Sequence, residues 1–157
     1  MQNKFSLLIA LICTCFLLAC DQDIVFEENL KLEDAKWDRD ELAQFEFEIQ
    51  DSSLNYAIFL HFRHGGNYPY RNIYLFTRTE SPEGKIAIDT AQMVLADARG
   101  KWMGKGIGDL FDYEFKFKEG PLFPEKGTYS FTIEQAMREQ TLPEITNVGV
   151  SIKQIEI

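Results

Sequence analysis

The sequence is poor in cysteine and in positive charge, and each shortage excludes a class of site. Its three cysteines, Cys13, Cys15 and Cys20, all lie within the first twenty residues. The rest of the chain can therefore form no disulfide and no thiolate metal site, and it holds no cysteine nucleophile. The chain has 16 Lys and Arg residues against 25 Asp and Glu residues. We therefore expect no nucleic-acid partner, because few cations are present to neutralise phosphates, and no electrostatic docking on anionic lipid.

The one long apolar run stands at the N-terminus and has the organisation of a secretory signal. Lys4 provides a short positive region, residues 5–18 are apolar, and Ala19 is the small residue required before a cleavage site. The run is too short for a membrane span. Leu17-Leu18-Ala19-Cys20 resembles the lipobox of bacterial lipoproteins, which implies that Cys20 becomes the new N-terminus and carries acyl chains such as palmitate. An ordinary signal peptide that contains cysteines is the alternative.

The chain divides into three predicted segments. Residues 1–19 are the lipoprotein signal peptide, residues 20–30 are the lipid anchor with a short tether, and residues 31–157 form a single domain. Acidic side chains dominate the tether, although Ile24-Val25-Phe26 already has the character of a short strand. We find no internal repeat, domain linker or low-complexity segment.

A period of two dominates the domain and predicts β-strands. Residues 44–49 alternate polar and apolar side chains, as in a strand with one face in water, and residues 54–62 are apolar on both faces, as in the centre of a sheet. Further strands are predicted at residues 73–79, 86–88 with an extension over 91–95, 110–118, 129–133 and 148–152. Residues 134–138 are predicted to form one or two helical turns. About eight short strands predict an all-β fold, an antiparallel two-sheet sandwich with jelly-roll or Greek-key connections.

Three segments in a fixed order carry the most specific signal. They are residues 67–76 (NYPYRNIYLF), residues 95–109 with the run GKWMGKGIGD, and residues 127–150 with the motifs GTYSF, QAMR and VGV. Together they resemble the GldH family of gliding motility lipoproteins over nearly the whole mature chain. The resemblance implies a non-enzymatic, membrane-anchored accessory of the gliding motility and associated secretion machinery, with other proteins of that machinery as partners. It also implies a place in the cell envelope; we favour the outer membrane over the inner one, with the domain facing the periplasm or the outside.

Residues that could carry chemistry give weak signals. Residues 104–108 (GKGIG) lack the spacing of a phosphate-binding loop and precede a strand, so we expect a tight turn in which glycine permits positive φ. His61 and His64, three residues apart on a strand, are predicted to point to opposite faces, so we expect no shared metal. His61 is expected to bond a neighbouring residue. No motif indicates a cofactor.

Acidic residues near the glycine-rich segment could in principle form a catalytic pair. Asp97, Asp109 and Asp112 lie there, but acids in loops usually cap turns or face solvent. No acid is marked by the sequence as having a raised pKa. We therefore predict that the protein is not an enzyme.

Loop aromatics and an arginine are the best candidates for an interaction surface. Tyr68, Tyr70, Arg71 and Trp102, with Asp109 beside them, have the residue types that binding hot spots favour. The alternative is that the aromatic rings only cover the ends of the sandwich. Stacking of such rings on sugars would suit the second function that we consider, a lipid-anchored glycan-binding β-sandwich module. The sequence does not separate a protein partner from a glycan.

Overall fold

Eleven β-strands and one short 3-10 turn make up the part of the chain that the computed structural model describes, residues 23–156. The predicted signal peptide and Cys20 lie outside these residues. The strands are β1 (Ile24–Lys31), β2 (Lys36–Asp38), β3 (Ala43–Ile49), β4 (Asn55–Gly65), β5 (Asn72–Glu80), β6 (Ile86–Val94), β7 (Lys105–Ile107), β8 (Leu110–Gly120), β9 (Gly127–Gln135), β10 (Thr141–Pro143) and β11 (Ile145–Ile155).

Two antiparallel sheets pack face to face and confirm the predicted all-β sandwich, with eleven strands where about eight were expected. The five-stranded sheet has the order β1-β11-β4-β8-β7, and the four-stranded sheet has the order β3-β9-β5-β6. The short strands β10 and β2 form a separate pair. Because β3 and β4, β4 and β5, and β8 and β9 belong to different sheets, the chain crosses repeatedly between the layers, as in Greek-key folds.

The alternation in the sequence explains which faces the strands bury. In β3 every second residue is buried, namely Ala43, Phe45, Phe47 and Ile49. The central strands β4 and β11 are buried on both faces over much of their length, at residues 56–58 and 148–152. Phe47 links the sheets, since its ring lies 5.5 Å from that of Phe26 and 5.4 Å from that of Phe123. Edge-on and tilted aromatic contacts of this kind stabilise the core beyond area burial.

The short strand predicted at Ile24-Val25-Phe26 is confirmed, and it is longer than expected. β1 covers Ile24–Lys31 and pairs with β11, whereas we predicted that residues 20–30 form the anchor and tether. Its acidic residues face solvent, while Phe26 and Leu30 pack against the core. The charged composition thus concealed how far the strand extends, because one of its faces lies in water.

The predicted helical turns at residues 134–138 are wrong. β9 continues through Gln135, because Glu134 and Gln135 pair with Phe76 and Leu75 of β5. The Gln135 side chain is buried; it accepts a hydrogen bond from the Met137 N–H and donates to the carbonyls of Glu139 and Gln140. These bonds to the backbone replace the helical ones that the sequence suggested.

The two ends of the sandwich are distinct. At one end, which we call the base, Ile24 pairs with Lys153, and Lys153 pairs with Ala57 near the start of β4. At the other end, which we call the distal tip, lie the loops at residues 66–71 and 95–104 and the turn at residues 108–109. β4 runs for 11 residues from base to tip, which corresponds to roughly 35 Å.

Candidate functional site at the distal tip

The fold brings all five residues of the predicted interaction surface to the distal tip. Hydrogen bonds between backbones join the loops that carry them: the Gly66 N–H donates to the Asp109 carbonyl at 2.7 Å, and the Leu95 N–H donates to the Arg71 carbonyl at 2.8 Å. Ala96 and Trp102 form an isolated β-bridge within the second loop. Segments that are far apart in the sequence therefore form one surface.

Aromatic rings packed around His64 form the floor of the tip. The His64 ring centroid lies 4.5 Å from Trp102, 5.5 Å from Tyr68 and 5.7 Å from Phe111. His64 is 0% exposed, and its Nδ1 donates to the Gly65 carbonyl at 2.9 Å, which fixes the neutral tautomer. Burial lowers the pKa of His64. Its Nε2 has no hydrogen-bond partner among the described residues. The floor is therefore aromatic, with one unpaired polar atom, the Nε2 of His64.

The predicted surface residues differ in how far they reach solvent. Tyr68 is only 3% exposed and belongs to the core, so it supports the surface instead of contacting a ligand directly. Tyr70 and Trp102 are half-buried, and the Tyr70 hydroxyl donates to the Glu139 carboxylate. Arg71 and Asp109 are exposed. Trp102 thus both packs on the floor and presents part of its ring, so the two alternatives drawn from the sequence are not exclusive.

Exposed apolar residues on the β7–β8 hairpin and in the loop before it were not identified from the sequence. Ile107 is 93% exposed, and Met103 and Leu110 are also exposed. Gly108 has φ +67, as expected for a tight turn, and a Cβ on Gly106 would lie 2.1 Å from the Leu110 carbonyl oxygen. The glycines thus permit a close hairpin that holds Ile107 out in water. The abundance of glycine was the only signal in this segment of the sequence. We interpreted it as a tight turn and did not foresee the exposed side chain of Ile107.

A polar groove of about 720 Å³ lies beside the tip on the outer face of the five-stranded sheet. His61 lines it and bonds the Ser151 hydroxyl through Nε2 at 2.8 Å, as expected for a strand residue that bonds a neighbour. Arg63 and Asp112 form an ion pair, with Nη2 and Oδ2 3.0 Å apart. His61 and His64 face opposite sides of the sheet, as predicted. Charges of both signs line the groove, Arg63 and Lys105 against Glu27, Asp112 and Glu114, so it has no strong preference for an anion or a cation.

The acids near the tip behave as turn caps and ion-pair partners. Asp97 accepts hydrogen bonds from the N–H groups of Lys101 and Arg99, and these bonds lower the pKa of its carboxyl. A general acid needs the opposite shift. Within residues 23–156 no three His, Cys, Asp or Glu side chains lie close enough together to hold a metal ion.

In residues 23–156 we find no helix with the length and apolar character to cross a membrane.

Comparison with known proteins identifies similar chains of matching length. A family model described as "GldH lipoprotein" matches residues 24–152. The chain is 32% identical to the gliding motility lipoprotein GldH homolog of Christiangramia forsetii, over 98% of each chain. It is 34% identical to the gliding motility lipoprotein GldH of Flavobacterium johnsoniae, over 98% of this chain and 97% of the relative.

Solved structures offer only a distant likeness. A chain in the structure of infectious bursal disease virus, Gx strain, is 8% identical with a TM-score of 0.34, over 85% of this chain and 30% of the viral one. A score this low supports no inference about the fold or the function.

Proposed function

This chain belongs to the GldH lipoprotein family, and on that premise we propose that it is a lipid-anchored component of gliding motility in the bacterial cell envelope. The observation that carries the proposal is the identity of 32% and 34% to two gliding motility lipoproteins over nearly the full length of each chain. Similarity that extends over the whole chain supports a shared role more strongly than similarity confined to one motif.

The membrane anchor is the lipid on Cys20, and it sets the orientation of the domain. Only residues 21–23 separate Cys20 from β1, which allows a reach of at most about 15 Å. The base therefore lies next to the membrane, and the distal tip stands roughly 35 Å beyond it. Several acyl chains give a stable anchor, because each buried methylene contributes about 0.8 kcal/mol. We favour the outer membrane.

The protein acts by binding other components of the gliding and associated secretion machinery, not by catalysis. The distal tip supports this role, since it exposes Ile107 and Met103 and, in part, the rings of Tyr70 and Trp102. Exposed apolar side chains grouped with aromatics are typical of protein interfaces. Glycan binding is the second candidate, because the same two rings offer faces on which sugars could stack.

Removal of the lipidated cysteine tests the proposal directly. We expect a Cys20→Ala strain to lose incorporation of a palmitate analogue into the protein, to release the protein from the membrane fraction, and to form non-spreading colonies. The matched control is Cys15→Ala, which alters a cysteine within the signal peptide that is removed on cleavage; it should be lipidated and should spread normally. Normal spreading of the Cys20→Ala strain, with the protein off the membrane, would refute the proposal.

A further inference from the structure

β6 is the open edge of the four-stranded sheet. It pairs with β5 along its whole length and without a bulge. Residue 86 lies opposite residue 80 at one end of the pairing, and residue 94 lies opposite residue 72 at the other. No other strand of residues 23–156 pairs with its second edge. The edge therefore presents a row of backbone donors and acceptors to solvent, which is a template for a further strand.

The hydrogen-bond pattern shows which residues of β6 face the open edge. Just beyond the two ends of the hairpin, the Leu95 N–H donates to the Arg71 carbonyl at 2.8 Å and the Ser81 N–H donates to the Lys85 carbonyl at 2.9 Å. Bonded and non-bonded pairs alternate in an antiparallel ladder, so residues 87, 89, 91 and 93 bond β5. The backbone groups of residues 86, 88, 90, 92 and 94 therefore point to the open edge.

The outward side chains of β6 are uncharged and largely apolar. At the five positions whose backbone is open they are Ile86, Ile88, Thr90, Gln92 and Val94. Ile88 is 71% exposed, and Ile86 and Val94 are also exposed. On β5 the exposed rings of Tyr74 and Phe76 lie opposite Gln92 and Thr90, and the Arg78–Glu80 ion pair lies opposite Ile88 and Ile86. Contiguous exposed apolar side chains on a strand edge favour a partner over water.

The other three edges carry the protection that β6 lacks. β1 exposes Glu27, Glu28 and Lys31, and β3 exposes Glu46 and Glu48. β7 covers only residues 110–112 of β8, and the rest of that edge exposes the charged side chains of Glu114, Lys116 and Glu119. Charge and short length are the usual means of preventing edge-to-edge association. The single charge of β6, Asp89, turns toward the inner face and pairs with Lys118, Oδ2 to Nζ 2.5 Å. A strand added to β6 would therefore bury no unpaired charge.

We propose that β6 binds an extended, uncharged segment of a different cell-envelope protein, which adds to the four-stranded sheet as a fifth strand. Main-chain hydrogen bonds would give affinity, and the outward isoleucines would favour apolar side chains at alternate positions of the segment. The inference rests on the proposed function in placing the partner in the envelope and, through the anchor on Cys20, in favouring a different protein over a second copy.

The anchor geometry favours a different protein over a second copy. A symmetric antiparallel pair of β6 strands would turn the base of one copy toward the tip of the other. The two bases would then lie at opposite ends of a strand pair roughly 30 Å long. The tether after Cys20 reaches at most about 15 Å, so both anchors could not reach one membrane with the strands upright.

Site-specific photocrosslinking of the full-length protein in cells tests the inference. Benzoylphenylalanine is placed at Ile88 and, separately, at Gln92, with Glu46 on the charged edge β3 as the matched control position. We expect both β6 positions to crosslink to one segment of another protein, at sites as far apart in that segment as positions 88 and 92 are in β6. The control position should give no such product.

A proline on the open edge supplies the decisive variant. Thr90→Pro removes an N–H that faces the open edge and no bond to β5, so the domain should fold while the crosslinked product is lost. Ile88→Lys, with the probe at Gln92, should also abolish the crosslinked product, because it places a charge among the outward apolar side chains of β6. A product that is a dimer of this chain, equal yield from Glu46, or a product that survives Thr90→Pro would each overturn the inference. If the Thr90→Pro strain glides normally while the Cys20→Ala strain does not glide, strand addition is refuted and the proposed function is not. If the Cys20→Ala strain glides, the proposed function is refuted.

Discussion

Replacement of His64 should flatten the pH dependence of stability. His64 is fully buried among aromatic rings, and burial lowers its pKa below the ordinary value of 6.5. His61 shifts in the same direction, because burial outweighs the attraction of Glu114. These are the only two histidines in the chain, and no other side chain ordinarily titrates between pH 5 and 8. Each histidine therefore binds a proton less readily in the folded state than in the unfolded chain.

The sign and size of the effect follow from proton linkage. A base whose folded pKa is depressed contributes stability that is fully present above the unfolded pKa and is lost as the pH falls through about 6.5. The slope is at most about 1.4 kcal/mol per pH unit for each histidine. One histidine that stays neutral in the folded state makes the protein about 1.4 kcal/mol less stable at pH 5.5 than at pH 7.5.

Urea denaturation of the domain at pH 5.5 and pH 7.5 measures this contribution. His64→Phe keeps a ring against Trp102 and Phe111 but has no atom to protonate, so its loss of stability between the two pH values should be smaller than that of the wild type by up to about 1.4 kcal/mol. The matched control, His61→Gln, should retain the part of the pH dependence of stability that comes from His64. If His64→Phe shows the same pH dependence as the wild type, the burial argument for His64 is refuted.

Two substitutions test the packing. Gly149→Ala should lower stability by about 1–3 kcal/mol in urea denaturation, because its Cβ would lie 2.2 Å from Asn29 Oδ1 and 2.5 Å from the Glu28 carbonyl oxygen; an unchanged midpoint would show that β1 gives way freely. Trp37→Ala should cost about 3–5 kcal/mol, since Trp37 is fully buried and its Nε1 donates to the Glu41 carbonyl at 2.8 Å. Trp37→Phe is the milder control, and equal losses in the two variants would contradict a packing origin.

Local periodicity was enough to predict the long strands. β3, β4 and β11 have side chains whose polarity repeats every two residues or is apolar throughout, and this pattern depends only on neighbours in the sequence. β2, β7 and β10 have three residues each, too few to establish a period, so they were missed. β6 was expected to break at Asp89, but it is continuous because Asp89 pairs with Lys118 on the other sheet.

The sequence also identified the residue types that the fold gathers at the distal tip, but it did not show the role of each residue. Tyr68, Tyr70, Arg71 and Trp102 were selected as loop aromatics and an arginine, and the fold does gather them. Tyr68 is nonetheless buried, because His64 and Trp102 approach it from other parts of the chain. Ile107 was passed over, because nothing local shows that a hairpin holds it in water.

The sequence by itself determined the class of the fold, the resemblance to the GldH family and the predicted lipid anchor, because composition, period and motifs are local properties of the chain. Only the tertiary structure decided that the start of β1 and the candidate surface lie at opposite ends of the sandwich, and that β6 is the unprotected edge. Both depend on strand order, which is set by long-range pairing between distant segments. The sequence of a strand does not show whether its edge pairs with another strand or faces water.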